Sequence, residues 1–337
     1  MNILYEYLFD LSFGHNFHFS IGAKEFVRFR LMTFNILQGG GNAKNVGFGN
    51  ELFGGSRIDE IASAIKLAEA DVVGIQEDCS SKSNLILNAL GEGWYRAGKL
   101  YSKFPAELVD SNKDRSLEVV DVELTGSRVA RIVNCHWWPN NYGPFLAQKK
   151  LRADPQVDLN HLAKLVEEKG TRRGGTRGYK ATIKPLEEAI KEKKAIFLVG
   201  DFNEPSHLDW TEHYAKNGPD RWVDNPTGTP LLLPVQWPGS VLLENIGMID
   251  SFRQVHNDEV KKPGNTWTPS YPKQTPGRRP YGDQVLDRID RVYHHGKDVK
   301  IVSAQIVGEK GDTSDISITG KWPSDHRAVV IEYKWKK

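Results

Sequence analysis

The residues of this sequence whose types and settings could do chemistry are Asn35, Glu77, His136, Asp201, Asn203, Asp290, Asp325 and His326. Four are carboxylates, two are amides and two are histidines, an oxygen-rich set of the kind that hard cations such as Mg²⁺ take as ligands. Taken singly, each acid or amide has a plainer explanation, because Asp and Asn shape turns and cap helices far more often than they catalyse. Their common setting separates them: every one falls at the end of a segment that reads as a β-strand.

Those segments recur from Arg28 onward, alternating with helical patterns as in a layered α/β protein. FRLMTFNI (Phe29 to Ile36) reads as a strand carrying Asn35 to its end, and the Gly- and Asn-rich stretch from Gly39 to Gly55 as loop. Ser56 with Asp59 resembles a capping box, and Ile58, Ile61, Ala62 and Ile65 follow at helical spacing. The short apolar run DVVGIQ then delivers Glu77 at its carboxyl end. Val129 to Val133 leads to His136, Trp137 and Trp138, and Ala195 to Val199 leads through Gly200 to Asp201, Phe202 and Asn203. RIDRVYHH and WPSDHRAVVIEY join further strands to Asp290, Asp325 and His326. Between them lies an insertion over about 140–194 with two helical patterns, around His161 to Glu168 and around Ile183 to Lys193. Residues 1–27 read as an extension of unassigned role ahead of a single domain over 28–337, with no repeat or linker dividing it.

Composition sets outer limits. Hydrophobic residues are 39% and charged residues 26%, ordinary for a soluble chain able to bury a full core. Lys and Arg total 45 against 43 Asp and Glu, so a formal charge of +2 provides no field that would gather polyanions; nucleic acid is allowed but not indicated. Two cysteines, Cys79 and Cys135, make no disulfide framework and no metal-binding Cys pair. Asp10, His15 and His18 interrupt the first segment where an export signal needs an unbroken apolar stretch, and no run reaches membrane-spanning length, which leaves the compartment open and predicts a soluble protein.

TFNI, IQE, NCHWW, GDFN, DSFR, TWT, RID and SDH stand in the order found in the endonuclease/exonuclease/phosphatase superfamily, which the chain resembles from about Leu31 to Tyr333. Any one of these short strings arises by chance; their ordered occurrence is specific. The resemblance implies an α/β (α+β) fold, a four-layered sandwich of two packed mixed β-sheets flanked by helices, like deoxyribonuclease I. It also implies a divalent-metal-dependent hydrolase of phosphate esters. Carried over position by position, Asn35, Glu77 and Asp325 match the metal site, with Mg²⁺ expected and Mn²⁺ or Ca²⁺ as substitutes. Asp201 matches the residue that orients or deprotonates the attacking water, and Asn203 the one that fixes that carboxylate and contacts a phosphate oxygen. His326 matches the histidine at the scissile phosphate and Asp290 the carboxylate that orients its ring. His136 aligns with a position that stabilises the phosphate or leaving oxygen, although a buried, satisfied histidine would explain it too.

Substrate choice in such proteins lies in loops, so the motifs are silent about it. IQED departs from the commoner IQEV or LQET, and GDFN runs on into EPSH as in a group of uncharacterised bacterial members. Glu204 and His207 could line the pocket, or could belong to a turn and a helix capped at Ser206. Arg177, on the basic Gly-rich loop from Gly170 to Lys180, could close over an anion or simply be solvated surface. Among the tryptophans, Trp137 and Trp138 are expected at the rim of the site. The charge balance and the aromatic rim favour a phosphodiesterase acting on a small-molecule or lipid-linked phosphoester; a DNA or RNA nuclease of the same superfamily is the alternative, and a catalytically silent phosphate-binding protein the third reading. Oligomeric state is not indicated.

Overall fold

The computed structural model describes residues 26–40, 55–78, 83–111, 117–125, 128–139, 142–164, 179–225, 227–269 and 281–336. Most of the segment read as an N-terminal extension, most of the loop after Gly40, and the loop that carries Arg177 lie outside the described residues.

Alternating apolar residues build two mixed sheets. The first has seven strands in the order β12 (Ile316–Ser317), β11 (Val299–Gly308), β13 (Ala328–Lys336), β1 (Phe26–Asn35), β2 (Val72–Gln76), β4 (Leu100–Ser102) and β3 (Tyr95–Ala97). The second has six, in the order β5 (Ala106–Ser111), β6 (Leu117–Thr125), β7 (Arg128–His136), β8 (Ala195–Asp201), β10 (Asp290–His295) and β9 (Ile249–Asp250). β1 runs parallel to β2 and β7 parallel to β8, whereas β13 and β10 return antiparallel beside them. Strand β1 begins at Phe26, so the last two residues assigned by sequence to the extension belong to the sheet.

Successive side chains on a strand point to opposite faces, and the four layers follow from that period of two. Phe29 and Leu31 of β1, Val72 of β2, Ile132 of β7, Phe197 and Val199 of β8 and Val292 of β10 meet between the sheets in one buried cluster. Met32, Phe34, Val73 and Ile75 face the other way, onto helix α1 (Ile58–Leu67) and Ile86 and Leu90 of α2 (Ser83–Leu90). On the far side Val133, Ile196 and Leu198 pack against Ile183, Leu186 and Ala189 of α4 (Tyr179–Lys191) and Leu243 of α6 (Pro238–Asn245). The insertion supplies α4 and also α3 (Gly143–Ala153), which packs with Trp210, Trp222 and Trp237 into a lateral cluster. Two short helices complete the fold, α5 (Glu212–Asn217) and α7 (Ser251–Val255).

Two local expectations differ. Helix α1 starts at Ile58 with Arg57 at the N-cap and no capping side chain, so Ser56 and Asp59 form no capping box. The helix after the GDFN segment is α5, capped by Thr211, whose hydroxyl accepts from Tyr214 N–H at 3.0 Å; Ser206 instead accepts from Leu208 N–H in a turn. No helix among the described residues is long and apolar enough to cross a membrane.

Candidate active site

The face of each central strand that packs between the sheets turns polar at one end of the sandwich. On β1 the series Phe29, Leu31 continues as Thr33 and Asn35; on β8 Phe197, Val199 continues as Asp201; on β7 Ala130, Ile132 continues as Asn134 and His136. Strand register then aligns them, His136 opposite Asp201 on β7 and β8, and Asp201 opposite Asp290 on β8 and β10. Just below the site a polar bridge crosses between the sheets: Thr33 Oγ1 donates to Gln76 Oε1 (3.2 Å), and Gln76 Nε2 donates to Asn134 Oδ1 (2.7 Å). Gly74 permits this approach, since a Cβ there would lie 2.4 Å from Val199 Cγ2.

Asp201 is the hub. One carboxylate oxygen, Oδ2, accepts from Asn35 Nδ2 (2.9 Å) and Asn203 Nδ2 (3.1 Å) and lies 3.3 Å from His136 Nε2 and 3.9 Å from His326 Nε2. The other, Oδ1, accepts from Asn203 N–H at 2.9 Å, a bond made by the left-handed backbone of Asn203 (φ 45°), a conformation Asn tolerates. Burial alone would raise this carboxyl, but His326, His136 and the Asn203 N–H overcome it and hold it at about 2. The His326 ring is fixed on its other side, where Nδ1 donates to Asp290 Oδ2 at 2.9 Å, and Asp290 N–H donates to Thr266 Oγ1. Burial would lower the imidazole, yet Asp290, Asp201 and Asp325 together push it up to about 10. The ring is therefore an imidazolium at neutral pH. His136 is also raised, its burial outweighed by Asp201 and Glu77.

Glu77 follows β2 with a left-handed backbone (φ 60°); its Oε1 accepts from Asn35 Nδ2 (3.2 Å) and its Oε2 from Gln38 N–H (2.9 Å). Residues 37–40 form a left-handed turn, with φ of 50°, 51°, 69° and 68°. That conformation costs a non-glycine residue roughly 1–2 kcal/mol, so Leu37 and Gln38 need support from their surroundings. Across the site Ser324 Oγ donates to Asn35 O (2.6 Å), Trp322 Nε1 donates to His326 O (2.6 Å), and Thr268 Oγ1 donates to Asp325 O (3.0 Å), pinning the SDH segment against β1.

These groups border a cavity of about 170 Å³. One wall is polar, made by Glu77, His136, Asp201, Asn203, Asp325 and His326; the other is Pro139, Tyr142, Phe145, Trp267 and Ile289. The rings of Tyr142, Phe145 and Trp267 meet edge to face with centroids 5.0–5.6 Å apart, and Trp267 lies 6.4 Å from the His326 ring. Tyr142 donates its hydroxyl to buried Asp287, which also accepts from Trp210 Nε1 at 2.8 Å.

All eight expected core residues converge on the cavity or on the hydrogen bonds around it, Asn35 among them. Its Oδ1 accepts from Leu37 N–H (3.0 Å), which turns the amino group to Glu77 and Asp201, so it ties the two carboxylates together. Of the expected substrate contacts, Trp137 is buried at 4% exposure, donates Nε1 to Thr182 and packs edge-on to Phe202. Being one residue past His136, it takes the opposite strand face. Trp138 is half-buried and does not border the cavity. Glu204 Oε1 accepts from Gly239 and Ser240 N–H (2.9 and 3.2 Å) and so caps α6. His207 bonds Ser240 and Glu244 and borders a separate cavity of about 490 Å³. Sequence reasoning missed Tyr142, Phe145 and Ile289 as cavity walls; only the TWT string pointed near Trp267.

A divalent cation fits the donor chemistry. Glu77 and Asp325 present hard oxygens to the cavity, and with Asp201 and Asp290 they outnumber the nearby full positive charges on Arg57 and His326. Asp201, Asp290 and His326 also come close enough together to suggest a cation between them. Their contacts argue for a charge-paired set there instead, since His326 Nδ1 carries the proton that bonds Asp290, and Asp201 Oδ2 is already surrounded by donors.

The sequence model of the Endonuclease/Exonuclease/phosphatase family matches residues 32–326. The chain belongs to this family. Its members are phosphoester-hydrolysing, divalent-metal-dependent enzymes, and acidic side chains that could bind a metal, Glu77 and Asp325, border the cavity here. Among curated proteins, an uncharacterized protein of Caenorhabditis elegans is 28% identical over 317 residues, 90% of each chain. Among solved structures, truncated TDP2 of Caenorhabditis elegans is similar at 16% identity and a TM-score of 0.48, covering 91% of this chain and 97% of that one. A 3′-5′ exonuclease, NExo, from Neisseria meningitidis is similar at 16% identity and a TM-score of 0.48, covering 91% and 100%.

Proposed function

We propose that this enzyme is a Mg²⁺-dependent phosphodiesterase acting on a small-molecule or lipid-linked phosphoester by in-line attack of water. The observation that carries the reading is the two-sided cavity, carboxylates and histidines on one wall and packed aromatic rings on the other, within about 170 Å³. Sites that enclose a whole drug-sized ligand run to roughly 300–1,000 Å³, so this one accommodates the phosphate and its immediate neighbours and leaves the rest of the substrate outside. A near-neutral chain offers no added attraction to a long polyanion.

In this reading Glu77 and Asp325 hold the cation, which, when bound, would act as a Lewis acid on a phosphate oxygen. Asp201, an acid held at about 2, stays ionised and orients the attacking water by accepting its hydrogen bond; so low a value suits positioning better than proton abstraction. Asn203 and Asn35 keep that carboxylate in place. The His326 imidazolium donates from Nε2 to a phosphate oxygen as negative charge builds, with Asp290 holding the ring. His136 stands beside Asp201 to stabilise a second oxygen or the leaving group.

Hydrolysis of bis-p-nitrophenyl phosphate beside p-nitrophenyl phosphate, with Mg²⁺, Mn²⁺, Ca²⁺ or EDTA, tests this in wild type and Asp201→Ala. Expected is turnover of the diester that EDTA abolishes, Mg²⁺ restores and the variant lacks. Preference for the monoester would refute the diester assignment, and efficient digestion of plasmid or abasic DNA would favour the nuclease reading. Absence of turnover on either ester and on DNA would favour a silent binding protein.

A further inference from the structure

Arg57 is a buried cation that the catalytic reading leaves without a task. It is 4% exposed and stands at the N-terminal boundary of α1. Its side chain is aimed away from α1's own backbone: Nη1 donates to Ile36 O at 3.1 Å and to Pro323 O, and Nη2 donates to Leu37 O at 2.6 Å. Its backbone N–H donates to Gly40 O at 2.8 Å. One residue thus grips both ends of the left-handed turn over 37–40 and, through Pro323, the segment that leads to Asp325. The carboxylates whose charges act on this guanidinium include Asp325 and Glu77, with Glu60 from its own helix.

Of the two segments it joins, the one after Pro323 carries Asp325, and the turn after β1 hydrogen-bonds Glu77, which itself follows β2. The left-handed turn puts Gln38 N–H on Glu77 Oε2, and Ser324, next to Pro323, bonds Asn35 O. We infer that Arg57 is a positioning residue for the metal site, a clamp that sets the separation of Glu77 and Asp325 by holding, through main-chain carbonyls, the segment leading to Asp325 against the turn that bonds Glu77. The inference rests on the proposed reading of those carboxylates as ligands. A planar guanidinium can direct diverging N–H groups at three carbonyls at once, whereas a lysine ammonium keeps the charge but not the fork. Groups that orient metal ligands affect metal binding although they never touch the ion.

The test is Mn²⁺ binding to the full chain, followed by the electron paramagnetic resonance signal of free Mn²⁺, for wild type, Arg57→Lys, Arg57→Gln and Glu77→Gln. Wild type should bind an ion that Glu77→Gln loses. Both Arg57 variants should bind it about 10- to 100-fold more weakly, the range seen when groups behind metal ligands are changed. The double variant Arg57→Lys/Gln38→Gly should regain part of that affinity, because glycine adopts the left-handed turn without strain. The double variant also serves if the single ones fold poorly. Wild-type affinity in Arg57→Lys would overturn the inference by assigning the role to charge, and tighter binding in Arg57→Gln would do so by showing that Arg57 only repels the ion. A wild type that binds no Mn²⁺ at a Glu77-dependent site would instead remove the metal-site reading itself, and the inference with it.

Discussion

Replacing Asp290 by Asn removes one negative charge from a fully buried position while keeping the side chain's volume and an acceptor for His326 Nδ1. The imidazole is carried from its ordinary 6.5 to about 10 against the pull of burial, and Asp290 is the foremost of the charges that do so. At about 1.4 kcal/mol per pH unit, that elevation amounts to about 5 kcal/mol in favour of the imidazolium. An opposite charge in direct contact shifts a partner by roughly 1–3 units, so the variant's ring should lose its proton that much closer to neutrality. The alkaline limb of kcat against pH should move acidward by the same amount. A cation bound beside Asp325, as proposed, would lower the limb in both proteins, so the readout is the difference between them. The assay is diester hydrolysis across the pH range at saturating metal, with melting temperature as the control for folding. An unshifted alkaline limb, even with lower activity, would refute the assignment of His326 as an imidazolium maintained by Asp290.

Other expectations follow from packing and burial. Gly74→Ala would put a Cβ 2.4 Å from Val199 Cγ2, and overpacking between the sheets should cost about 1–3 kcal/mol in urea unfolding; an unchanged midpoint would contradict so close an approach. Buried His294, lowered to about 4 chiefly by desolvation, is neutral in the fold, so its contribution is full above pH 6.5 and lost as pH falls toward 4. That window should cost about 3 kcal/mol in wild type, and His294→Gln should unfold with a shallower dependence across it. Glu204→Gln should weaken the cap of α6 by about 0.5–2 kcal/mol and leave KM for the diester unchanged; a raised KM would return Glu204 to the substrate.

The sequence was informative where chemistry and strand pattern coincide. Asn35, His136 and Asp201 end apolar alternations that can be counted, so their convergence follows from strand register, whereas Glu77 is in phase with the helix-facing Val73 and Ile75 and follows them with a left-handed backbone (φ 60°). The same counting would have excluded Trp137 from the rim, because it sits one step out of phase with His136. Glu204 and His207 were misplaced for a different reason: their partners, Gly239, Ser240 and Glu244, lie some 30–40 residues away, and a local string carries no trace of them. Tyr142 and Phe145 reach the cavity only because α3 docks against the segment around Asp287, a tertiary contact without a local signature. The orientation of the Asn35 amide depends on the Leu37 backbone and could not be read from residue type.

The polar ends of the strands share their faces with the apolar core beneath, which makes hydrolysis a gauge of assembly. Asn35 and Glu77 belong to one sheet, Asp201 and Asp290 to the other, and neither sheet carries a working set. A collapsed intermediate with both sheets formed but undocked would bind no transition state. The recovery of turnover during refolding should therefore lag behind the recovery of secondary structure and coincide with the closing of the interface between the sheets, so this enzyme would report its own final folding step through its product.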